Sequence, residues 1–386
     1  MTSHKMRPRS MSTGGGHSVP VGPVLLLVGG ALAVLAAVLG RYGFTGRDHA
    51  EAIRVLVVGI DLGTTYSVVA ISQRNNVTVI PDSHGHLIIP SMVAFLPDGE
   101  VTAAGIAAPY EFAIASLEGN TTAEVCFELD VPGHPPCSAP VSIGSIVVRH
   151  LKTMAQRFVG HDQITNAVIA VPVDFNERQR DATVEAFRAA GLVVSRVLEE
   201  PTAAAIAYGL HQDPTVNFVL VFDFGGGTLD VSLLFVRAGS IRVLDTLGDN
   251  NLGGEDVDST IAAFLADEFA RQLGVDRITS ASSEIEEADS EDPDELPCTI
   301  AGVRRAAESL KRKLSSATTA TAMCVVQGET YRTASVSMTR AQLETICRPL
   351  FERTMAPVRS VLEGNHMTPA EIDAVVLVGG SSRIPW

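Results

Sequence analysis

Two apolar stretches of the chain share one interrupted pattern. The first begins at Val55, reads VLVVGIDLGTTYSVVAIS, and sets Asp61 beside a Gly-Thr-Thr turn between two strand-like runs. The second begins at Val221, reads VFDFGGGTLDVSLLF, and repeats the order of apolar strand, aspartate, glycine turn and apolar strand. This pattern predicts two β-hairpins, each with a carboxylate near the end of a buried strand.

The rest of the chain alternates apolar runs of strand length with Ala-rich stretches of helical period, which is typical of an α/β protein. Turn-forming residues such as Pro172, Gly191 and Pro201 separate these stretches. Strands are predicted over 55–60, 68–72, 167–171, 218–222, 231–236 and 374–378. Helices are predicted over 144–159, 178–190, 202–210, 259–273, 302–314 and 340–362. Residues 117–140, rich in Pro, Gly and Thr, and 284–295, with eight acids, are predicted to be loops.

The turn residues of the two hairpins point to a bound polyphosphate. An isolated carboxylate in an apolar strand costs several kcal/mol unless a partner compensates its charge. Glycine turns bring backbone N–H groups close to an anion, and Thr64, Thr65 and Thr228 add hydroxyl donors. Asp61 and Asp223 supply the oxygen ligands that Mg²⁺ prefers. We therefore expect facing hairpins that grip a polyphosphate, with Mg²⁺ balancing both aspartates.

Two further features belong to this interpretation. Asp230 is a third candidate carboxylate beside the second turn, and a third glycine turn, VVLVGGSSRIP, begins at Val375. A single glycine turn is usually only a turn, so the interpretation depends on three turns in order, two of them with equivalent aspartates. The sequence contains neither a Walker A loop nor a GxGxxG element at a first βα turn.

Length, charge and cysteine content narrow the class of protein. At 386 residues the chain is long enough for two domains. The net charge of −15 leaves no basic footprint and argues against nucleic acid as a partner. The five cysteines lack metal-ligand spacing, and their odd number leaves at least one unpaired in an oxidising compartment. Cys126 and Cys137 are spaced for a small disulfide loop, although such spacing also arises by chance.

The N-terminal segment 19–40, VPVGPVLLLVGGALAVLAAVLG, carries no charge and is long enough to cross a bilayer as a helix. We expect it to be either a secretory signal or a signal anchor. Lys5, Arg7 and Arg9 precede it and three arginines follow it, so its orientation stays open. In a lumenal chain, the sequons at Asn76 and Asn120 would be acceptors for glycans.

Five motifs resemble, in the same order, the signatures of the seventy-kilodalton heat-shock (DnaK-like) chaperones: GIDLGTTYS, VFDFGGGTLDVSLL, EEPTAAAIAYGL, NNLGGEDVD and VVLVGGSSRIP. The resemblance covers about 55–386 and is specific, because sugar kinases and actins do not share EEPTAAAIAYGL. It implies an α/β, actin-like (ribonuclease H-like) ATPase domain with two lobes and with ATP or ADP and Mg²⁺ between them. It also implies J-domain and nucleotide-exchange co-chaperones as partners.

Carried over motif by motif, the resemblance assigns roles to individual residues. The catalytic positions that it implies are Asp61, Glu200, Asp223 and Thr228, with Asp61 and Asp223 also organising Mg²⁺. The implied nucleotide-binding positions are Gly63, Thr64, Thr65, Tyr66, Gly225, Gly226, Gly227, Gly254, Glu255, Glu308, Lys311, Arg312, Ser315, Gly379, Gly380, Ser381 and Arg383. Pro172 and Arg180 resemble the family's interlobe relay, and Arg196 resembles a co-chaperone contact.

The first lobe departs from the family in its charge. Family members carry a catalytic lysine downstream of the Ile-Pro-Ser strand, whereas here Arg149 is the only Lys or Arg between Arg74 and Lys152. That lysine helps to position the γ-phosphate and the attacking water, so its loss removes electrostatic stabilisation commonly worth several powers of ten in rate. The corresponding subdomain is also shortened to residues 105–143. We therefore expect nucleotide binding with weak or absent hydrolysis.

The chain stops at SSRIPW, before the helices that close the first lobe in the family and before any peptide-binding domain. A core without that domain and with an N-terminal signal is similar to the microsomal stress-seventy branch. The expected organisation is a signal peptide or anchor (1–40), a linker (41–54), a first lobe (55–215) and a second lobe truncated at its C-terminus (216–386). The expected location is the endoplasmic reticulum lumen, with membrane contact only through residues 19–40.

Three functions remain open at this point. The leading one is an ATP-binding chaperone core whose ATPase is impaired. The second is a scaffold that binds co-chaperones and that nucleotide merely stabilises. The third is an inactive, truncated isoform.

Overall fold

The computed structural model describes residues 56–63, 65–73, 76–95, 101–103, 113–116, 125–128, 137–279, 296–326 and 332–386. Six α-helices lie within these ranges: α1 (Pro140–Val159), α2 (Glu177–Ala189), α3 (Glu200–Ala207), α4 (Gly254–Leu273), α5 (Ile300–Ser316) and α6 (Arg340–Gly364). Short 3₁₀ turns cover Leu210–Gln212, Pro369–Glu371 and Ser381–Arg383.

Strands alternate with these helices along the chain. They are β1 (Leu56–Leu62), β2 (Tyr66–Gln73), β3 (Asn76–Val79), β4 (Ile89–Pro90), β5 (Val93–Phe95), β6 (Val101–Ala103), β7 (Ala113–Ser116), β8 (Val125–Glu128), β9 (Cys137–Ser138), β10 (Ile164–Val171), β11 (Val193–Glu199), β12 (Phe218–Phe224), β13 (Leu229–Arg237), β14 (Ser240–Asp249), β15 (Leu296–Pro297), β16 (Thr319–Val326), β17 (Arg332–Thr339) and β18 (Ala374–Val378). The α/β class predicted from the sequence is confirmed.

Sheet A contains the first predicted hairpin. Its strand order is β11-β10-β1-β2-β3, with β4 paired to β2. Strand β1 runs parallel to β10 and antiparallel to β2, and Asp61 stands opposite Val68. Helices α1 and α2 bury one face of the sheet in a core that includes Ile60, Leu151 and Phe187. The carboxyl end of β1, where the first turn begins, therefore rests on a rigid base.

Sheet B contains the second predicted hairpin, with the strand order β14-β13-β12-β18. Strands β12 and β13 are antiparallel, and Asp223 stands opposite Asp230. Strand β18 runs parallel to β12 at its other side, so the third glycine turn leaves the sheet beside the second. Helix α6 covers one face through contacts such as Val361 with Leu220 and Leu233.

Helix α3 packs against both sheets. Ala203 lies in a small cluster with Val168 and Ala170 of sheet A. Its neighbours Ala204 and Ala205 pack instead on the strands of sheet B. Because alanine side chains let a helix approach a sheet closely, eight residues suffice to join the two sheets. Glu200, the first residue of α3, is thereby placed between the two hairpins.

A third sheet, sheet C, has the order β15-β16-β17 and packs with α4 and α5 around a separate core. A disulfide between Cys298 and Cys324 ties this sheet to the segment that enters α5. Cys137 is also disulfide-bonded, whereas Cys347 is buried and free. The indole of Trp386 stacks on Phe351 of α6 with ring centroids 5.3 Å apart.

Several observed elements differ from the predictions at their ends. Helix α1 begins at Pro140, earlier than predicted, because proline at the first helical position needs no hydrogen-bond partner for its nitrogen. Helix α4 begins at Gly254 rather than 259. Two short strands, β8 and β9, lie inside the predicted loop 117–140 and pair with one another. Such pairing between loop segments leaves no periodic pattern in the sequence.

Some predicted features fall outside the described residues, namely the segment 19–40, Thr64, Asn120 and the acidic stretch 284–295. Across the ranges that the structure does describe, no helix is both long and apolar enough to cross a bilayer.

Candidate functional site

A cleft of about 840 Å³ lies between sheets A and B. Residues of both hairpin turns and of the third glycine turn line it. The sequence-predicted residues among its lining are Asp61, Gly63, Thr65, Tyr66, Glu200, Asp223, Gly225, Gly226, Gly227, Thr228, Gly379, Gly380 and Arg383, with Pro172 of the implied relay. The fold therefore gathers at one place residues that are more than three hundred positions apart in the sequence.

The first two glycine turns meet directly across the cleft. Thr65 of the first turn packs against Gly226 of the second so closely that a methyl group on Gly226 would clash with the threonine hydroxyl. The N–H groups of Gly254 and Glu255 donate to the carbonyls of Gly225 and Gly226 at 3.0 and 2.8 Å. The second turn is thus fixed between the first turn and the N-terminus of α4.

The third glycine turn is attached to the second. Gly379 has a φ of +82°, a conformation that glycine adopts without strain, and any Cβ there would clash with the carbonyl of Phe224. The hydroxyl of Ser381 donates to the carbonyl of Gly225 at 2.7 Å, so Ser381 supports the turn instead of lining the cleft. All three turns are therefore joined by direct contacts.

Four carboxylates of the cleft are electrostatically uncompensated. Burial raises the pKa of Asp61 to about 6, and burial with repulsion from Asp61 and Asp230 raises the pKa of Asp223 to about 7. Burial and then Asp174 raise the pKa of Asp230 to about 6. Burial, followed by repulsion from Asp61 and the other carboxylates, raises the pKa of Glu200 well above its ordinary value. No cation within the described ranges lowers any of these four pKa values. A cation from outside the protein would therefore be needed to balance the charge of the four carboxylates.

Asp174 is a cleft residue that sequence reasoning missed. It lies in the loop after β10 and lines the cleft on the side of Asp230 and Glu200. Arg180 holds this loop, because its guanidinium donates to the carbonyls of Phe175 and Val173, both at 2.9 Å. The sequence did contain a signal for Asp174, because it follows the predicted strand 167–171 and ligands of α/β sheets bind at the carboxyl ends of the strands.

Two side chains of the first turn reach across to the helices beside sheet C. The hydroxyl of Thr65 donates to Glu255 of α4 at 2.8 Å. The hydroxyl of Tyr66 donates to Glu308 of α5, also at 2.8 Å. Burial, and next this hydrogen bond, raise the pKa of Tyr66 above its usual range. Glu255 and Glu308 thus face the first turn, although neither is among the residues that line the cleft.

The remaining predicted residues of α5 contact neighbouring protein groups and not the first turn. The ammonium of Lys311 contacts a carboxylate oxygen of Asp258 at 2.6 Å and the carbonyl of Gly254 at 3.2 Å. Arg312 is largely exposed and lies 4.0 Å from Glu308. The hydroxyl of Ser315 donates to the carbonyl of Lys311 at 3.0 Å. None of these three side chains is among the residues that line the cleft, whereas Arg383 does line it, and burial and then Arg312 lower the pKa of Arg383.

Comparison with known protein families shows to which family the chain belongs. The chain matches the family described as Hsp70 protein over residues 57–114 and 108–386, which is most of its length. The chain belongs to the Hsp70 family. The sheets and six helices of the described ranges fit the actin-like ATPase fold of Hsp70 proteins. Membership also agrees with the general character of Hsp70 proteins as ATP-binding chaperones of the stress response.

Hsp70 proteins use nucleotide together with Mg²⁺, and the cleft can be tested for that ion. Among the described residues, no group of three or more His, Cys, Asp or Glu side chains is arranged to coordinate a metal directly. Mg²⁺ usually keeps several waters and is bound through one or two carboxylates plus phosphate oxygens. Asp61 and Asp223, which have raised pKa values and no compensating cation, fit this kind of site.

Proposed function

We propose that this Hsp70 protein binds Mg²⁺ complexes of ATP or ADP in the cleft between sheets A and B. The observation that carries the proposal is the contact of the two glycine turns beside the uncompensated Asp61 and Asp223. In this arrangement the backbone N–H groups of the turns and the hydroxyl of Thr228 would face the phosphates. Asp61 and Asp223 would hold the hydrated ion that neutralises the phosphate charge.

We further propose that hydrolysis is weak. The only Lys or Arg between Arg74 and Lys152 in the sequence is Arg149, and its guanidinium donates to the carbonyl of Ala189 at 3.4 Å. Within the described lining of the cleft, Arg383 supplies the one cationic side chain. Phosphoryl transfer depends on positioned positive charge, and its loss costs more in the transition state than in binding.

Titration calorimetry tests the binding proposal. We expect Mg-ATP and Mg-ADP to bind the chain from residue 41 onwards with one site, and Asp223→Asn to weaken binding by about a hundredfold because charge-assisted contacts are lost. Asp162→Asn, an exposed aspartate after α1, is the matched control and should bind as the unchanged protein does. Absence of heat with both nucleotides would refute the proposal.

A single-turnover assay tests the second part separately. With Mg-ATP bound, we expect hydrolysis slower by several powers of ten than for Hsp70 proteins that carry the lysine. Hydrolysis at a rate ordinary for the family, and abolished by Asp223→Asn, would contradict the proposal of an impaired ATPase while leaving the binding proposal intact.

We also propose that the protein is a lumenal core of the microsomal stress-seventy type. The disulfide between Cys298 and Cys324 and the bonded state of Cys137 support an oxidising compartment. Because disulfides use cysteines in pairs and Cys347 is free, alkylation of the denatured, unreduced protein, followed by mass measurement, should label one of the five cysteines. Labelling of three or more in protein isolated from its own compartment would contradict a lumenal location.

A co-chaperone scaffold is the second candidate function. Arg196, the residue that resembles a co-chaperone contact, is exposed on β11 at the edge of sheet A. A pulldown with a J-domain protein distinguishes the two functions. Capture that requires ATP favours a chaperone core in which nucleotide controls the binding of co-chaperones. Equal capture with and without nucleotide favours the scaffold.

A further inference from the structure

The floor of the cleft is unusually negative for a site that would hold phosphates. Asp61, Glu200, Asp223 and Asp230 repel one another, and no cation among the described residues relieves them. The cation of the lining, Arg383, has Arg312 as its charged neighbour and not one of these carboxylates. The one cation of the described lining therefore does not balance the carboxylates at the floor.

Asp174 adds a fifth carboxylate to the floor, and the fold holds it there. Its exposed side chain opens into the cleft, and it acts on Glu200 and Asp230. Arg180 fixes the loop on both sides of Asp174, while a reciprocal capping box at Asn176 fixes the start of α2. The loop therefore cannot easily withdraw the carboxylate when an anion enters.

The position of Asp174 decides which part of a nucleotide would meet it. Asp61 and Asp223 would hold the Mg²⁺ and with it the phosphate chain, which leaves the end of the cleft near Arg383 for the adenosine. The phosphate chain would then run along the glycine turns towards the carboxylates at the floor. A third phosphoryl group brings one more negative charge to the end nearest Asp174, and a single Mg²⁺ balances a diphosphate better than a triphosphate.

We propose that the cleft selects Mg²⁺ complexes of nucleoside diphosphates over those of triphosphates, and that Asp174 sets this preference. This inference rests on the proposed nucleotide binding. Asp174 acts here as a specificity residue, by repelling the terminal phosphoryl group and not by taking part in a reaction. At the separations and effective dielectric of a partly open cleft, one such repulsion changes affinity by about tenfold.

Calorimetry with Mg-ADP and Mg-ATP on matched variants tests the proposal. The unchanged protein should bind Mg-ADP about tenfold more tightly than Mg-ATP. Asp174→Asn should reduce the ratio of the two affinities to about twofold, because Mg-ATP then binds more tightly. Asp174→Glu, which keeps the charge, should leave the ratio unchanged. Asp181→Asn is the control, because Asp181 is exposed on α2 and does not line the cleft. Thermal melts confirm that each variant is folded.

The salt dependence supplies a second measurement on the unchanged protein. Because the cleft is open to solvent, the diphosphate preference should shrink as ionic strength rises. Equal affinity for both nucleotides, or an unchanged ratio in Asp174→Asn, would overturn the selectivity and leave the binding proposal standing. Failure of the unchanged protein to bind either nucleotide would overturn both.

Discussion

Asparagine in place of Asp223 is expected to raise the melting temperature of the metal-free protein by about 4 °C at about pH 8, and to leave it unchanged at about pH 4. The pKa of Asp223 rises from 3.8 to about 7 in the folded protein, chiefly through burial. A raised carboxyl pKa favours the folded state below the unfolded pKa, and that stability is lost as pH rises from about 4 through about 7. The full shift corresponds to about 4 kcal/mol, and we expect about 2 kcal/mol because the side chain opens into the cleft.

Thermal melts in a chelating buffer across this pH range measure the effect. Asp162→Asn should follow the unchanged protein at every pH, because Asp162 is exposed. In the same buffer without chelator, Mg²⁺ with nucleotide should stabilise the unchanged protein at about pH 8 and have little effect on Asp223→Asn, because ligand binding to the folded state alone raises the midpoint. A lower melting temperature of Asp223→Asn at about pH 8 would mean that the carboxylate already has a stabilising partner.

The second large effect is expected from Lys311→Met on α5. The side chains of Lys311 and Asp258 are only 13% and 18% exposed, and their charged atoms are 2.6 Å apart. The other carboxylate oxygen of Asp258 is buried and has no hydrogen-bond partner among the described residues. Removing the ammonium leaves a buried carboxylate uncompensated, which costs about 3 kcal/mol and lowers the melting temperature by about 6 °C.

The next residue of the same helix provides the control. Arg312 is 70% exposed and lies 4.0 Å from Glu308, so Arg312→Met should change stability by less than about 0.5 kcal/mol. The double variant Lys311→Met with Asp258→Leu should recover much of the loss, because it removes both charges together. Denaturant unfolding measures all three. Equal losses for Lys311→Met and Arg312→Met would show that the buried ion pair does not decide the stability of this region.

The two hairpins could be predicted because their signal is local. A strand pattern, a glycine turn and a second strand pattern follow within about twenty residues, which is enough to specify an antiparallel pair. The observed pairings of Asp61 with Val68 and Asp223 with Asp230 agree with that prediction. The meeting of the two turns could be inferred only from their similarity, since β10, β11 and α3 bring them together.

Twelve of the described strands escaped prediction, eight of them only two to four residues long, and the other four have a pattern that is weak or shifted. Strand β11 (VVSRVLE) lies at an edge of sheet A and exposes Val193 and Arg196, so it lacks a continuous apolar run. Strand β14 pairs with β13 through a register shift beside Leu233, which disturbs its alternation. Strands β16 and β17 alternate small and polar residues on the exposed face of sheet C. Each of these strands pairs with the strand directly before or after it in the chain, and this pairing, more than the strand's own pattern, decides the structure.

The candidate site likewise contains residues that the sequence predicted and residues that it did not. The glycines and the aspartates of the hairpins carry recognisable local chemistry, whereas Asp174 carries only the weaker signal of an aspartate just past the end of β10. The ion pair of Lys311 with Asp258 has no local signal, because the two residues are on different helices and 53 positions apart. Contacts of this kind depend on packing between elements, which the sequence pattern of one helix does not contain.

The stacking of Trp386 on Phe351 gives this chain an intrinsic optical reporter. Trp386 is the only tryptophan of the sequence, and it follows Arg383 by three residues. Its indole is 57% exposed on one side and covered by an aromatic ring on the other. Because indole emission depends on the polarity of its surroundings, a displacement of the 379–383 backbone that moves the indole off Phe351 would change the emission spectrum. Movements at the rim of the cleft can therefore be followed in the unlabelled protein, in real time and at low concentration.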